Sequence, residues 1–375
     1  MRLAHLGAAV VTTLMIPGLA GAGDPGLVFE LRPSVAIVLE NGGRRDALLS
    51  IDVRNDGDRQ VRVERLRATY YDHERVVGTK DPATSLFTRA GLVSDPRVDA
   101  GGRDHWDGLC LEPPTAAADR LRLEFDLVER RGLHRARATQ RLDVALRAPA
   151  APPLIALPVS GLWRITQGHT CDTQHRRGRL GGEFSWDLAA VGETGRAAAS
   201  GVDAPRRNDE SATFGRPVVA PVAGIVASVT DGIDDNDAPR EFPRRTLVDS
   251  AREPRWVFGN HVVLDAGGGV FVLLAHLRKG SVAVRPGDKV REGDALAQAG
   301  NSGNTRVSHV HLQVMDRADP ADPTVSGVPA LFRNYAEISA SGDGNEREAV
   351  YRRVMAGDPP EGCVVLSALA ALSTR

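Results

Sequence analysis

The sequence predicts an all-β chain: an N-terminal β-sandwich of immunoglobulin-like type over residues 26–147, a second β domain over residues 159–338, and a C-terminal extension over residues 339–375. Three observations lead there. Apolar and polar residues alternate in short runs such as Leu48-Leu49-Ser50-Ile51-Asp52-Val53 and Leu121-Arg122-Leu123-Glu124-Phe125-Asp126-Leu127, the period of strands with one buried face. Turn-forming residues separate the runs, and no long helical period interrupts them. Prolines crowd between Pro149 and Pro153, where a sheet ladder cannot continue, so residues 148–158 read as a linker. With 375 residues, the chain also exceeds one domain of ~100–200 residues.

At the N-terminus Arg2 precedes an apolar run from Leu3 to Leu19, and Ala20-Gly21-Ala22 offers small residues for cleavage. This is the pattern of a signal peptide over residues 1–22. Pro17 and Gly18 break the run before it reaches the ~20 apolar residues of a membrane span. The expectation is an exported chain, periplasmic or extracellular, with no stable membrane insertion once the signal is removed.

In the first unit, residues 48–53 and 61–66 flank Asn55-Asp56-Gly57, and such a turn between alternating runs predicts an antiparallel hairpin. His73, His105 and His134 stand apart and form no convergent set. In the second unit His261 to Leu264 and Phe271 to His276 read as strands joined by Ala266-Gly267-Gly268-Gly269, whose glycines supply the positive φ angles of a hairpin turn. Two polar excursions, about 193–213 and 231–255, read as loops grafted on the sheet. In the extension, Asn345 to Met355 reads as a helix and Val364 to Leu372 as an apolar segment packed on the body. Nothing in the extension suggests chemistry.

Composition excludes more than it selects. A hydrophobic share of 42% and a charged share of 25% are globular values, which argue against a disordered or multispanning chain. The 47 basic and 48 acidic residues leave a net charge of -1, so no global field recruits nucleic acid. Three cysteines, Cys110, Cys171 and Cys363, allow at most one internal disulfide, and their spacing is not that of a zinc module.

Chemistry gathers late in the chain. In Ser308-His309-Val310-His311-Leu312-Gln313-Val314 the two histidines are two apart, and on a strand both point to one face. His276 ends the run Phe271-Val272-Leu273-Leu274-Ala275, where a polar side chain reaches a sheet's rim. Asp187 follows Phe184-Ser185-Trp186, an apolar setting in which a carboxylate is costly to bury without a partner cation. Zinc hydrolases take three His or Asp/Glu ligands and keep a fourth position for water, and these residue types are present.

In order, Gln167-Gly168, a histidine, Trp186-Asp187-Leu188, Val218-Val219-Ala220-Pro221, Gly259-Asn260-His261, Ala275-His276-Leu277, Pro286-Gly287-Asp288, Gly300-Asn301-Ser302-Gly303-Asn304-Thr305 and His309-Val310-His311 resemble the lysostaphin/LytM family of zinc metallopeptidases. The resemblance spans about 160 residues, nearly the whole second domain. It implies a two-sheet domain like a duplicated hybrid (lipoyl-like) motif, one Zn2+ per chain and peptidoglycan peptides as substrate. It implies Asp187 and His311 as metal ligands and His276 and His309 as unliganded catalytic histidines. The first ligand departs from the commonest spacing, since Glu183 stands where a histidine is expected. His175, on a glycine-flanked loop after Gln167-Gly168, is the preferred ligand, with Glu183 and His169 as alternatives. Cys171 lies in the same loop and reads as a disulfide partner or an idle thiol, and His261 as structural. A relative of this family that has lost zinc and acts as a binding or regulatory module is the competing expectation. Oligomeric state is not legible.

Overall fold

The computed structural model describes residues 26–41, 44–81, 97–131, 134–147, 151–169, 173, 175, 180–192, 207–236, 254–322, 325–341 and 348–367. The signal-peptide segment and Cys171 lie outside these residues, as do large parts of both polar excursions. The chain divides into two compact units, residues 1–38 with 47–148 and residues 39–46 with 149–375. Both are built from strands, as the alternation predicts.

In the first unit β1 (Leu27–Asn41), β2 (Arg44–Asn55), β3 (Val61–Asp72), β4 (Arg75–Lys80), β5 (Arg97–Val98), β6 (Arg103–Leu111), β7 (Arg120–Arg131) and β8 (His134–Arg147) join in the order β4-β3-β7-β8-β1-β2-β6, with β5 beside β3. The inward residues of β2 and β6, among them Leu49, Ile51 and Trp106, share one core with Leu66, Tyr70, Leu123 and Phe125 of β3 and β7. The expected hairpin between β2 and β3 is not formed. β2 pairs with β6 and β3 with β7, because residues 55–60 cross over instead of turning back. The Asn55 side chain donates to the Val98 and Arg59 carbonyls at 2.9 and 2.7 Å, and the Asp56 amide donates to Gly26. An Asn/Asp-Gly turn signal is local, and these long-range partners outweigh it. The immunoglobulin-like topology stays a reading of the sequence.

The second unit comprises β9 (Leu154–Ile155), β10 (Gly161–Gln167), β11 (Trp186–Ala190), β12 (Pro217–Val219), β13 (Gly224–Thr230), β14 (Asn260–Gly267), β15 (Val270–Leu277), β16 (Lys289–Val290), β17 (Ala295–Gln298), β18 (Val310–Met315), β19 (Leu331–Ser341), β20 (Glu348–Gly357) and β21 (Val364–Ser367). An eleven-stranded sheet runs β16-β13-β14-β15-β18-β11-β10-β21-β19-β20, with β9 beside β19, and β12 and β17 form a separate two-stranded sheet. β14 and β15 turn at Gly267, Gly268 and Gly269, all at positive φ, as expected from the glycine run. One face of the large sheet buries Trp163, Trp186, Leu188, Leu274, Val310, Leu312 and Val314 in the main core. The other face carries a smaller cluster of Phe258, Leu273, Ala275, Met315 and Val325.

The C-terminal residues depart from expectation. Residues 348–357 form strand β20, not a helix, and pair along their length with β19. The run Val350-Tyr351-Arg352-Arg353-Val354-Met355 has neither a clear period of two nor a clear helical period, and pairing with β19 decides its structure. β21 is inserted between β10 and β19, so residues beyond 338 are part of the sheet that carries the site. Among the described residues no helix is long and apolar enough to cross a membrane.

Candidate metal centre

The register of three neighbouring strands builds the site. β18 lies between β11 and β15, with Asp187 opposite His311 on one side and Ala275 opposite His311 on the other. Residues directly opposite in an antiparallel pair share a face, so Asp187, His311 and Ala275 form one row on the side away from the main core. Trp186, Leu188, Leu274, Val310 and Leu312, one residue off, anchor that row from beneath.

Strict alternation would send His276 to the opposite face. It does not go there, because its φ is 59°, a left-handed conformation that a non-glycine residue adopts only where the surroundings impose it. The Phe258 carbonyl accepts its amide at 2.9 Å and the Gly300 amide donates to its carbonyl at 3.0 Å, and these hold the bend. The ring then lies with its centroid 4.6 Å from that of His309 and 5.8 Å from that of His311.

Hydrogen-bond partners assign the ring nitrogens. The Gln313 side-chain amide donates to Leu180 O at 2.9 Å, which turns its carbonyl oxygen to His311 Nε2 at 3.0 Å. His311 therefore carries its proton on Nε2 and presents the Nδ1 lone pair to Asp187 Oδ1, 2.9 Å away. His175 Nδ1 donates to the carbonyls of Gly168 and Ser185 at 2.9 and 3.2 Å, leaving Nε2 bare at 3.3 Å from Asp187 Oδ2. His276 Nδ1 donates to Ser302 O at 2.8 Å and His309 Nδ1 to Val307 O at 2.8 Å. His309 Nε2 lies 3.4 Å from Asp187 Oδ1. Four rings thus have one nitrogen committed to a protein oxygen, the arrangement by which a second layer of contacts fixes tautomers around a metal.

A lone pair facing a carboxylate at such distances is repulsive unless a cation lies between them. A proton or a metal ion meets that need. Burial works to lower the pKa of His175 and of His309, but the Asp187 carboxylate outweighs it and lifts both above the ordinary imidazole value. Burial likewise opposes ionisation of Asp187, and His175 and His309 reverse it, holding the carboxylate well below its usual range. His276 goes the other way: burial, with His309 and His311 nearby, pushes its pKa well down.

His175, Asp187 and His311 each offer one ligand atom, all within 4.8 Å of one another. A tetrahedral zinc site with bonds of ~2.0–2.2 Å spaces its donors by roughly 3.3 Å; here His311 approaches the Asp187 carboxylate at 2.9 Å through Oδ1 and His175 at 3.3 Å through Oδ2, and one atom of each residue lies within 4.8 Å of the others. The donor set therefore fits a zinc ion. His276 and His309 lie beside it with Nε2 uncommitted to any backbone carbonyl.

The two alternatives for the first ligand are placed elsewhere. Glu183 lies in a turn, so strand alternation does not apply to it, and its Oε2 accepts the Gly327 amide at 2.8 Å. His169 sits against the Asp358 carboxylate, 3.1 Å from Nε2. His261 is buried with Nδ1 on its neighbour Gly259 O at 2.7 Å. Two residues that support the site escaped the sequence reading. Gln313 had a signal, since it is two residues beyond His311 and so on the same strand face. Asp358 had none, because its partners lie about 170–190 residues away in sequence.

Residues 207–323 match the model of Peptidase family M23. That stretch contains His276, His309 and His311, while His175 and Asp187 precede it. Among solved structures, similarity extends to the catalytic domain of the prophage-encoded M23 protein EnpA from Enterococcus faecalis, in a mutant form, at 18% identity over 44% of this chain and 88% of that one, with a TM-score of 0.26. A putative peptidase M23 from Pseudomonas aeruginosa is 15% identical over 72% of this chain and 90% of that one, TM-score 0.28. The catalytic domain of the antimicrobial peptidase lysostaphin from Staphylococcus simulans is 19% identical over 30% of this chain and 68% of that one, TM-score 0.21.

Proposed function

We propose that this chain, whose residues 207–323 match the model of Peptidase family M23, is an exported zinc-dependent endopeptidase cutting stem or cross-link peptides of peptidoglycan. The observation that carries the reading is the convergence of His175, Asp187 and His311, one ligand atom from each lying within 4.8 Å of the others, with each ring held by a second contact that leaves the nitrogen facing Asp187 unprotonated. Wall peptides as substrate follow from the family and from the resemblance of the motifs. Export rests on the N-terminal run from Arg2 to Ala22.

His175, Asp187 and His311 would hold the ion. Bound there, zinc supplies a Lewis acid and lowers the pKa of its water towards ~7. The remaining steps belong to the chain's own side chains. His276, whose Nδ1 carries the ring proton and donates it to Ser302 O, offers Nε2 as a proton acceptor. His309, whose Nε2 lies 3.4 Å from Asp187 Oδ1, suits a donor to the leaving amine or a partner for the developing oxyanion. Both rings are oriented in advance by carbonyl acceptors, Ser302 for one and Val307 for the other, so little reorganisation precedes proton transfer.

The test is direct. Purified protein is analysed for zinc, then incubated with cross-linked peptidoglycan while new amino termini are followed by mass spectrometry, with and without a chelator. About one zinc per chain and chelator-sensitive release of peptides are expected. Metal-free protein that binds the wall without cutting it would replace this reading with that of a binding module.

A further inference from the structure

The metal-ligand segments are tied together by a residue far from them in sequence. Asp358 follows β20, and its side chain is 8% exposed. One of its oxygens, Oδ1, accepts the Trp186 indole N–H at 2.9 Å, and both oxygens lie 3.1 Å from His169 Nε2. Trp186 is wholly buried and directly precedes Asp187. His169 directly follows Gly168, whose carbonyl receives the Nδ1 proton of His175. A single carboxylate thus grips the residue next to one ligand and the residue next to the anchor of another.

The surrounding turn reinforces the grip. The Gly362 amide donates to Ile165 O at 2.8 Å, the Ile165 amide donates to Cys363 O at 2.9 Å, and the Gly168 amide points to Glu361 Oε2 at 3.4 Å. Residues 358–363 therefore hold the chain on which His175 depends, and they lie outside the stretch that matches the family model. Charge-assisted bonds to a buried carboxylate are the stronger kind, and groups that orient a ligand change metal affinity without touching the metal.

We infer that Asp358 is a positioning residue for the metal centre, fixing the spacing between the His175 segment and Asp187, so that the C-terminal strands are a working part of the site. The inference rests on the zinc reading above and deepens it. Asp358→Asn keeps the shape and one acceptor oxygen but removes the charge; Asp358→Ala removes both. Zinc affinity is measured by competition with a chromogenic chelator, and the site geometry by the visible absorption of the cobalt(II)-substituted protein. Thermal melting of the metal-free proteins, read separately, shows which variants are folded at the assay temperature.

Expected are a ~10–100-fold loss of zinc affinity in Asp358→Ala, a smaller loss in Asp358→Asn, and a shifted cobalt spectrum in both. Trp186→Phe and His169→Leu, each releasing one arm, should give partial losses. Should Asp358→Ala fail to fold, Asp358→Asn with these two variants decides the matter. Wild-type zinc affinity and an unchanged cobalt spectrum in the folded variants would overturn the inference. Wild-type protein that binds no zinc, with His175→Ala indistinguishable from it, would instead overturn the zinc reading itself.

Discussion

Asp187 and His311 stand directly opposite each other on adjacent antiparallel strands, Oδ1 to Nδ1 at 2.9 Å, with the far nitrogen of His311 turned to Gln313. A carboxylate and an imidazole lone pair held this way call for a cation between them.

Removing a ligand should differ from removing a neighbour. His311→Ala is expected to lose both metal and hydrolysis. His309→Ala and His276→Ala should keep about one zinc per chain and lose rate by ~10²–10⁴-fold, the usual contribution of a positioned acid or base. Metal analysis beside kcat separates the two classes, and zinc retained in full by His311→Ala would remove the proposed ligand set.

The first ligand can be decided with two variants. His175→Ala is expected to release zinc, whereas Glu183→Gln, whose side-chain oxygen can still accept the Gly327 amide, should bind zinc as wild type does and change stability by no more than about 1 kcal/mol. Equilibrium dialysis and urea unfolding of the metal-free proteins provide the two readings.

Gly259 is a packing requirement as well as a turn. Its φ is +59°, and a Cβ there would lie 2.4 Å from the Ser302 carbonyl carbon and oxygen. That same carbonyl accepts the His276 Nδ1 proton. Gly259→Ala should therefore destabilise the protein by about 1–3 kcal/mol and lower kcat while leaving the zinc stoichiometry unchanged. An unaltered melting temperature and rate would show that the loop carrying Ser302 can give way.

Cys363, which is not among the proposed metal ligands, supplies a separate pH readout. Burial, with Glu337 nearby, pushes its thiol from 9.0 up to about 11. At pH 8 the thiolate, the reactive form, is thus about 100-fold scarcer than for an unperturbed group. Site-resolved alkylation by iodoacetamide should be correspondingly slow and rise about tenfold per pH unit until pH approaches 11. The folded chain holds this proton more tightly than the unfolded one, so its contribution to stability is complete below about pH 9 and is lost as pH rises towards 11. Alkylation at pH 8 as fast as that of a free thiol would contradict the environment described.

The strands of both units were legible because a buried face leaves a period of two in the sequence, and the glycines at 267–269 marked their turn. His309 and His311 were legible as a pair for the same reason, since spacing by two implies one face. Local pattern alone decided these things. It does not decide which strands become neighbours, so by pattern alone the turn at Asn55 reads as a hairpin and Asn345 to Met355 as a helix. Nor could it choose among His175, Glu183 and His169, whose side chains diverge only once Gly327 and Asp358 have claimed two of them. The backbone bend at His276 and the reach of residue 358 to residues 169 and 186 likewise belong to the tertiary structure. Sequence supplies side chains and their period along the chain; which donors converge is set by contacts between segments far apart, and a local pattern carries no record of those.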